Sequence, residues 1–297
     1  MRNLQLYSGY KDEDVQLLRK YAIHRAELKD DHFVDGFGHK TPYASVPFWS
    51  DFNVELLQLP IPEDGYHAEG LEYVALVDSV DRARGSYCIV EIGAGWGPWM
   101  SLGGVLARRR GLAPIDLVGV EAHPARFALL EHQLAFNRLH PSTPDLRCRL
   151  IEGAVGIEEG WLWFPESAVT DMGAAASTAD VDRDYRGAAV RSAPVKAYPL
   201  EEALRGLATV DLLHIDIQGA EVELVSHNLD LIAERVSGLM IGTHSRVIEG
   251  QLFEMLFAAG WRLHREKPCW VNWESKSPSL AGKTVADGAQ YWRRDLA

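Results

Sequence analysis

The amino-acid sequence predicts an α/β fold built on an open, largely parallel sheet. Two observations carry that expectation. Residues 88–99, Cys-Ile-Val-Glu-Ile-Gly-Ala-Gly-Trp-Gly-Pro-Trp, read as a buried strand, a glycine-rich turn and the start of a helix. Further short apolar runs (115–121, 146–155, 210–217, 239–245) recur with helical-period segments among them. The 297 residues, 47% hydrophobic and 24% charged, suffice for one large α/β domain with an extension. We expect residues 1–68 to form an aromatic-rich N-terminal extension, a candidate lid or acceptor wall, and residues 69–297 to form the α/β domain.

Bulk properties exclude several classes. A net charge of −12 disfavours a nucleic-acid backbone as the main partner. No apolar signal core opens the chain and no apolar run is long enough to span a membrane. Cys88, Cys148 and Cys269 lack CxxC spacing, which argues against a disulfide framework and fits a reducing, cytoplasmic setting. The sequence leaves a homo-oligomer open.

Taken in order, residues 11–29 carry Val15, Leu18, Ala22 and Ala26 at helical spacing. Residues 30–68 are broken by Gly36, Gly38, Pro42, Pro47, Pro60 and Pro62 and dense in aromatics: Phe33, Phe37, Tyr43, Phe48, Trp49, Phe52 and Tyr66. His24, His32 and His39 read as surface or packing residues. A helix over 69–83 leads into the 88–92 strand, and the helix after the glycine turn ends in Arg108, Arg109 and Arg110, where cations suit the helix dipole. The 115–121 strand ends in Glu121, followed by His123-Pro124 and a helix over 125–139. The 146–155 strand carries Glu152, Gly153 and Ala154, which by position flank an adenine. Residues 158–164 read as a strand in an excursion, 166–190 as a mobile or disordered loop, and 200–207 as a short helix. The 210–217 strand carries His214 and Asp216 two apart, hence on one face, and Glu221 opens the next helix, which runs to about 231. His244 ends the 239–245 strand, a helix covers 247–259, and 261–270 with 289–293 read as a closing hairpin.

The chemistry concentrates in two stretches. Gly93, Gly95 and Gly97 permit a sharp turn with a ligand against the main chain, and Pro98 suits the first helical position. A dinucleotide fingerprint would want its third glycine at 98. The pattern Glu91-x-Gly93-x-Gly95-x-Gly97 instead resembles the first motif of S-adenosylmethionine-dependent methyltransferases of the Rossmann-like class. An acid such as Glu121 after the second strand accepts ribose hydroxyls in nucleotide-type folds. In the second stretch, Asp216, Glu221, His214 and His244 are oxygen and imidazole donors at neighbouring strand ends. They admit two routes for removing a hydroxyl proton: a general base, His244 with Asp216 orienting it, or a divalent metal.

The order of glycine turn, acid after the second strand, Asp216-Ile-Gln-Gly-Ala-Glu221 and a strand ending at His244 resembles the FkbM family of S-adenosylmethionine-dependent methyltransferases over roughly residues 70–265. His214 and Gln218 depart from that family, where Lys and Glu are frequent. The resemblance implies a doubly wound seven-stranded sheet, mostly parallel with an antiparallel last strand. It implies O-methylation of a small-molecule or glycan acceptor: a sugar, glycan or secondary-metabolite hydroxyl. Glu91 would hold the cofactor's ammonium end, the glycines of the Gly93, Ala94, Gly95 and Gly97 turn its backbone contacts, and Glu121 its ribose, with Ala122, His123, Glu152, Gly153, Ala154 and Asp216 the further cofactor-binding residues. An NAD-dependent oxidoreductase and a non-catalytic binding module are the competing readings.

Overall fold

A computed structural model describes residues 11–23, 26–46, 70–171, 173–183, 189–277 and 280–295. His24, Pro47, Phe48, Trp49, Phe52, Pro60, Pro62 and Tyr66, singled out above, lie outside the described residues.

The central sheet has seven strands: β4 (Tyr87–Ile92), β5 (Ile115–Glu121), β6 (Leu146–Glu152), β10 (Leu212–Ile215), β11 (Gly238–Thr243), β12 (Arg262–Lys267) and β15 (Gly288–Arg293). Their spatial order is β12-β15-β11-β10-β4-β5-β6, and β15 runs antiparallel to both its neighbours while β11, β10, β4, β5 and β6 pair in parallel. This is the doubly wound, Rossmann-like sheet expected, including its antiparallel closing strand. The order reverses between β4 and β10. Such a switch point opens a crevice at the carboxyl ends of the strands. β4 and β11 are buried along their whole length, as a sheet covered on both faces requires.

Helices cover both faces. On one, α2 (Gly70–Arg82) and α3 (Pro98–Arg109) build a core with Ile89, Leu117 and Leu212; on the other, α6 (Glu221–His227), α7 (Leu229–Arg235) and α8 (Arg246–Ala258) pack on Val90, Leu213 and Ile241. α4 (Pro124–Phe136) follows β5.

The N-terminal helix is shorter than its periodicity suggests. α1 (Asp12–Tyr21) stops at Ala22, and the chain turns into a small antiparallel sheet of β1 (Glu27–Leu28), β2 (His32–Val34) and β3 (Lys40–Pro42). Leu18, Tyr21 and Phe37 join the α2–α3 core, and Phe33 packs with Trp96. Arg265 locks α1 to β12 through Asp14 at 2.6 Å, both side chains being at least 96% buried. The described aromatics of this segment therefore serve packing. The arginine run is also used differently from a helix-end charge: Arg108 donates to the Asn137 and Arg138 carbonyls, Arg109 to those of Phe37 and Tyr21, and Arg110 to those of Val80 and Ala83.

The 146–155 run divides at Gly153, whose φ of 151° turns the chain out of the sheet; a Cβ there would lie 2.5 Å from the Lys196 carbonyl. Beyond it, β7 (Ala154–Gly156), β8 (Gly160–Pro165) and β9 (Ser192–Pro199) form a second small sheet. Two prolines, Pro194 and Pro199, obscure β9 in the sequence. Pro194 is tolerated because only β8 pairs with the strand at that point. The described residues of the 166–190 loop are tied down: Ser177 bridges to Trp163, His123 Nε2 meets the Ser167 carbonyl at 3.0 Å, and Arg126 donates to the Val169 and Asp171 carbonyls. The 200–207 helix shortens to α5 (Leu200–Ala203), and β13 (Trp270–Val271) with β14 (Thr284–Ala286) forms a hairpin between β12 and β15.

Candidate active site

The site is assembled from the loops that leave β4, β5, β6, β10 and β11. Gly93, Gly95 and Gly97 all adopt positive φ, 75°, 57° and 74°. At Gly93 the requirement is also spatial: a Cβ would sit 1.9 Å from the Asp216 carbonyl oxygen. The Gly93 and Ala94 N–H groups donate to the Val120 carbonyl, and the Asp216 N–H to that of Ile92 at 3.0 Å. The glycine turn is thus pinned between the ends of β5 and β10.

Glu121 faces this turn. Its carboxylate accepts the N–H groups of Gly95 and His123, each at 2.7 Å. Burial pushes its pKa up, opposed by these bonds and by Arg126. Glu91 is 1% exposed and accepts the Met100 N–H at 2.8 Å, so it caps the start of α3 from below and does not line the cleft. Burial, opposed by His214 and that N–H, pushes its pKa up to about 7.

The second wall carries Asp216, Glu221 and His244. Asp216 lies just past β10, with 35% of its side chain exposed. Gln218, itself at a positive φ of 59°, donates to its Oδ1 at 2.9 Å. Glu221, fully buried at the first turn of α6, accepts the Ile217 and Gly219 N–H groups on Oε1 at 3.2 and 3.0 Å. His244, between β11 and α8, sits with Nδ1 2.9 Å from Glu221 Oε1 and Nε2 3.3 Å from Asp216 Oδ1. Gly242 leaves room for this, since a Cβ there would stand 3.1 Å from Asp216 Cγ. Burial disfavours the charged imidazole, but the two carboxylates outweigh it and hold His244 well above its ordinary value. Asp216 is held low: burial opposes its charge, and His244 more than compensates.

His214 does not join this group. The strand ends at Ile215, so its alternation does not extend to Asp216. His214 instead points to the α2–α3 face, where Nε2 meets Glu72 Oε1 at 2.9 Å and its ring packs 6.0 Å from that of Trp99. Among the described residues, the donors that converge are Asp216, Glu221 and His244, without His214.

Both walls open on one cleft of about 870 Å³, inside the range of roughly 300–1,000 Å³ usual for small-molecule sites. Gly93, Gly95, Glu121, Ala122, Gly153, Ala154, Asp216 and His244 line it; Ala94, Gly97 and His123 stand behind the lining, and Glu152 is exposed outside it. Several lining residues escape sequence reading. Arg126 belongs to α4, and Trp161, Glu158 and Glu159 belong to the β7–β8 excursion. Asp287 lies between β14 and β15. The cleft is acidic: Glu121, Glu158, Glu159, Asp216, Glu223 and Asp287 face Arg126 and His244. No described helix is long and apolar enough to cross a membrane.

The fold and cleft define an α/β protein with a cleft of small-molecule size at a topological switch point, beside an acid–imidazole cluster. No family model matches the chain. A curated protein of Jannaschia sp. (strain CCS1), named "Putative methyltransferase", is 36% identical over 281 residues, covering 93% of this chain and 97% of that one. The chain belongs to that protein's methyltransferase family. Solved structures are similar at lower identity. A precorrin-6Y C5,15-methyltransferase of Geobacter metallireducens GS-15 is 13% identical over 78% of this chain and 92% of its own, with a TM-score of 0.42. Methyltransferase FkbM of Methylobacillus flagellatus KT is 12% identical over 94% of this chain and 58% of its own, with a TM-score of 0.44.

Proposed function

We propose that this chain is an S-adenosylmethionine-dependent O-methyltransferase of the FkbM type, acting on a hydroxyl of a sugar, glycan or secondary metabolite. One observation carries the reading. The glycine turn with Glu121 and the Asp216–His244 pair line a single cleft, and the turn packs so closely on the Asp216 carbonyl that a Cβ at Gly93 would stand 1.9 Å from it. The acidic lining suits a ligand bearing a sulfonium and an ammonium. In this reading Glu121, already fixed by Gly95 and His123, accepts the ribose hydroxyls, and Gly153 and Ala154 flank the adenine. Glu91 acts at one remove, by holding the start of α3.

Methyl transfer is an in-line displacement. The acceptor oxygen–carbon bond forms as the carbon–sulfur bond breaks, the sulfonium becomes a neutral thioether, and the hydroxyl proton passes to the Asp216 carboxylate and on to solvent. Alignment of oxygen, methyl and sulfur supplies most of what the protein must provide. His244, 4% exposed between two carboxylates, is a positioning residue. Asp216 is the cleft-facing group that orients the hydroxyl and receives its hydrogen bond.

Calorimetric titration of S-adenosylmethionine into wild type and Glu121→Ala tests the cofactor assignment. A bond to a charged acceptor contributes roughly 1.5–3 kcal/mol, so Glu121→Ala weakens binding by about 10- to 150-fold. Equal affinity in the two proteins contradicts the ribose assignment. No binding in wild type, with uptake of a nicotinamide cofactor instead, would return the chain to the oxidoreductase reading.

A further inference from the structure

We infer that Asp216, Glu221 and His244 form a binding site for one divalent first-row metal ion on the acceptor side of the cleft. The ion's chemical role rests on the methyltransferase reading; its binding does not. One donor atom from each of the three side chains lies within 4.8 Å of the others. Donor atoms that share one cation at about 2.1 Å stand about 3 to 4.2 Å apart, and His244 Nδ1 lies 2.9 Å from Glu221 Oε1.

A second observation separates this group from an ordinary ion-pair cluster. Glu221 Oε2 and His244 Nδ1 have no hydrogen-bond partner, although Glu221 is 0% and His244 4% exposed. Nδ1 is close to Glu221 Oε1 yet off the line that a ring N–H requires. A buried polar atom left unpaired is a cost that natural proteins avoid. Metal coordination removes it for both residues at once. Two ligands come from the Asp216–Glu221 segment and the third from the end of β11, and the two carboxylates are anchored from behind: Glu221 by the Ile217 and Gly219 N–H groups, and Asp216 by Gln218 and by the backbone bond to Ile92. Gly242 gives Asp216 room to approach. Asp216 alone is partly exposed, so the remaining coordination positions face the cleft.

Mixed carboxylate and imidazole donors select manganese, iron or zinc over calcium, which takes six to eight oxygens. In the proposed reaction such an ion would bind the acceptor's hydroxyl oxygen and stabilise its alkoxide. The proton then leaves to solvent, the oxygen–carbon bond forms and the carbon–sulfur bond breaks.

The test is a Mn²⁺ titration of the full chain after chelator treatment, followed by the EPR signal of free ion, with Zn²⁺ competition. One saturable ion per chain is expected. Asp216→Asn and Glu221→Gln should each weaken it at least tenfold, while Glu223→Gln, an exposed acid on the same cleft, leaves it unchanged. Bound Mn²⁺ should also broaden the His244 ring resonances. That readout decides the matter should the carboxylate variants fail to fold. No uptake of either ion, uptake indifferent to both substitutions, or unbroadened His244 signals would overturn the site and leave an imidazolium clasped between carboxylates. A parallel S-adenosylmethionine titration separates the two proposals. Cofactor binding without ion uptake sinks the ion site alone, and ion uptake without cofactor binding sinks the methyltransferase reading alone.

Discussion

Gly93→Ala should damage this protein far more than Gly111→Ala, although the two glycines share a backbone conformation. Their φ angles are 75° and 74°. The intrinsic penalty for alanine in the left-handed region, about 1–2 kcal/mol, is common to both. Around Gly111, at the end of α3, nothing lies within 4 Å of an added Cβ. At Gly93 the added carbon would stand 1.9 Å from the Asp216 carbonyl oxygen and 3.0 Å from its carbonyl carbon. Relief requires the turn and the end of β10 to part by about 1 Å, against the Asp216–Ile92 hydrogen bond. Overpacking of that kind costs roughly 1–3 kcal/mol. The expectation is therefore about 1–2 kcal/mol for Gly111→Ala and about 2–5 kcal/mol for Gly93→Ala. Urea unfolding, with the slope checked to be unchanged, measures both. Gly93→Ala should also lose S-adenosylmethionine affinity and Gly111→Ala should not. Losses equal within about 0.5 kcal/mol, with equal cofactor affinity, would refute the idea that the glycine turn and the Asp216 segment position one another.

Other consequences can be checked together. Folding moves Glu91 from the ordinary 4.5 to about 7, so the folded chain keeps its proton to higher pH than the unfolded chain. The stability this gives is complete below pH 4.5 and is lost as pH rises through 7; at roughly 1.4 kcal/mol per pKa unit the change is about 3 kcal/mol. Glu91→Gln cannot lose a proton and should gain on wild type by up to that amount between pH 5 and 8; parallel stability–pH curves would show that Glu91 titrates normally. Arg265→Met strands Asp14 in a buried site and should cost about 3–5 kcal/mol, with early loss of hydrogen-exchange protection in residues 12–21. An unchanged protection pattern there would mean that α1 is held by its apolar face alone. Glu72→Gln, which loosens His214 beneath the sheet, should lower stability by about 1–3 kcal/mol and leave cofactor affinity within twofold, since neither residue lines the cleft. A large affinity loss would bring His214 back into the site.

Where chemistry is written locally, it is legible in the sequence. The Cys88–Trp99 stretch specifies strand, turn and helix through β-branched residues, spaced glycines and Pro98, and Glu121 ends its strand where the fold places a ligand-facing acid. The Asp216–Glu221 segment is equally readable, because acids and a glycine at a strand end need a reason. What depends on distant partners is not. His214 looks like a companion of Asp216 until Glu72, 142 residues earlier in the chain, is seen to hold it. Ordinary imidazole chemistry makes His244 a candidate base, but the two carboxylates that hold its pKa above the ordinary value come from another loop. Apolar periodicity extends α1 to 29, whereas tertiary packing ends it at Tyr21. β9 hides behind two prolines, each at a position where only one neighbour pairs with the strand. Arg126 and Asp287 reach the cleft from elements that carry no motif.

The most direct measurement is a crystal structure of the chain with S-adenosylhomocysteine. The ribose hydroxyls are expected on Glu121, the adenine beside Gly153 and Ala154, and the thioether sulfur turned toward Asp216. A ligand bound elsewhere on the molecule, or one in this cleft with its sulfur facing away from Asp216 and His244, would contradict it.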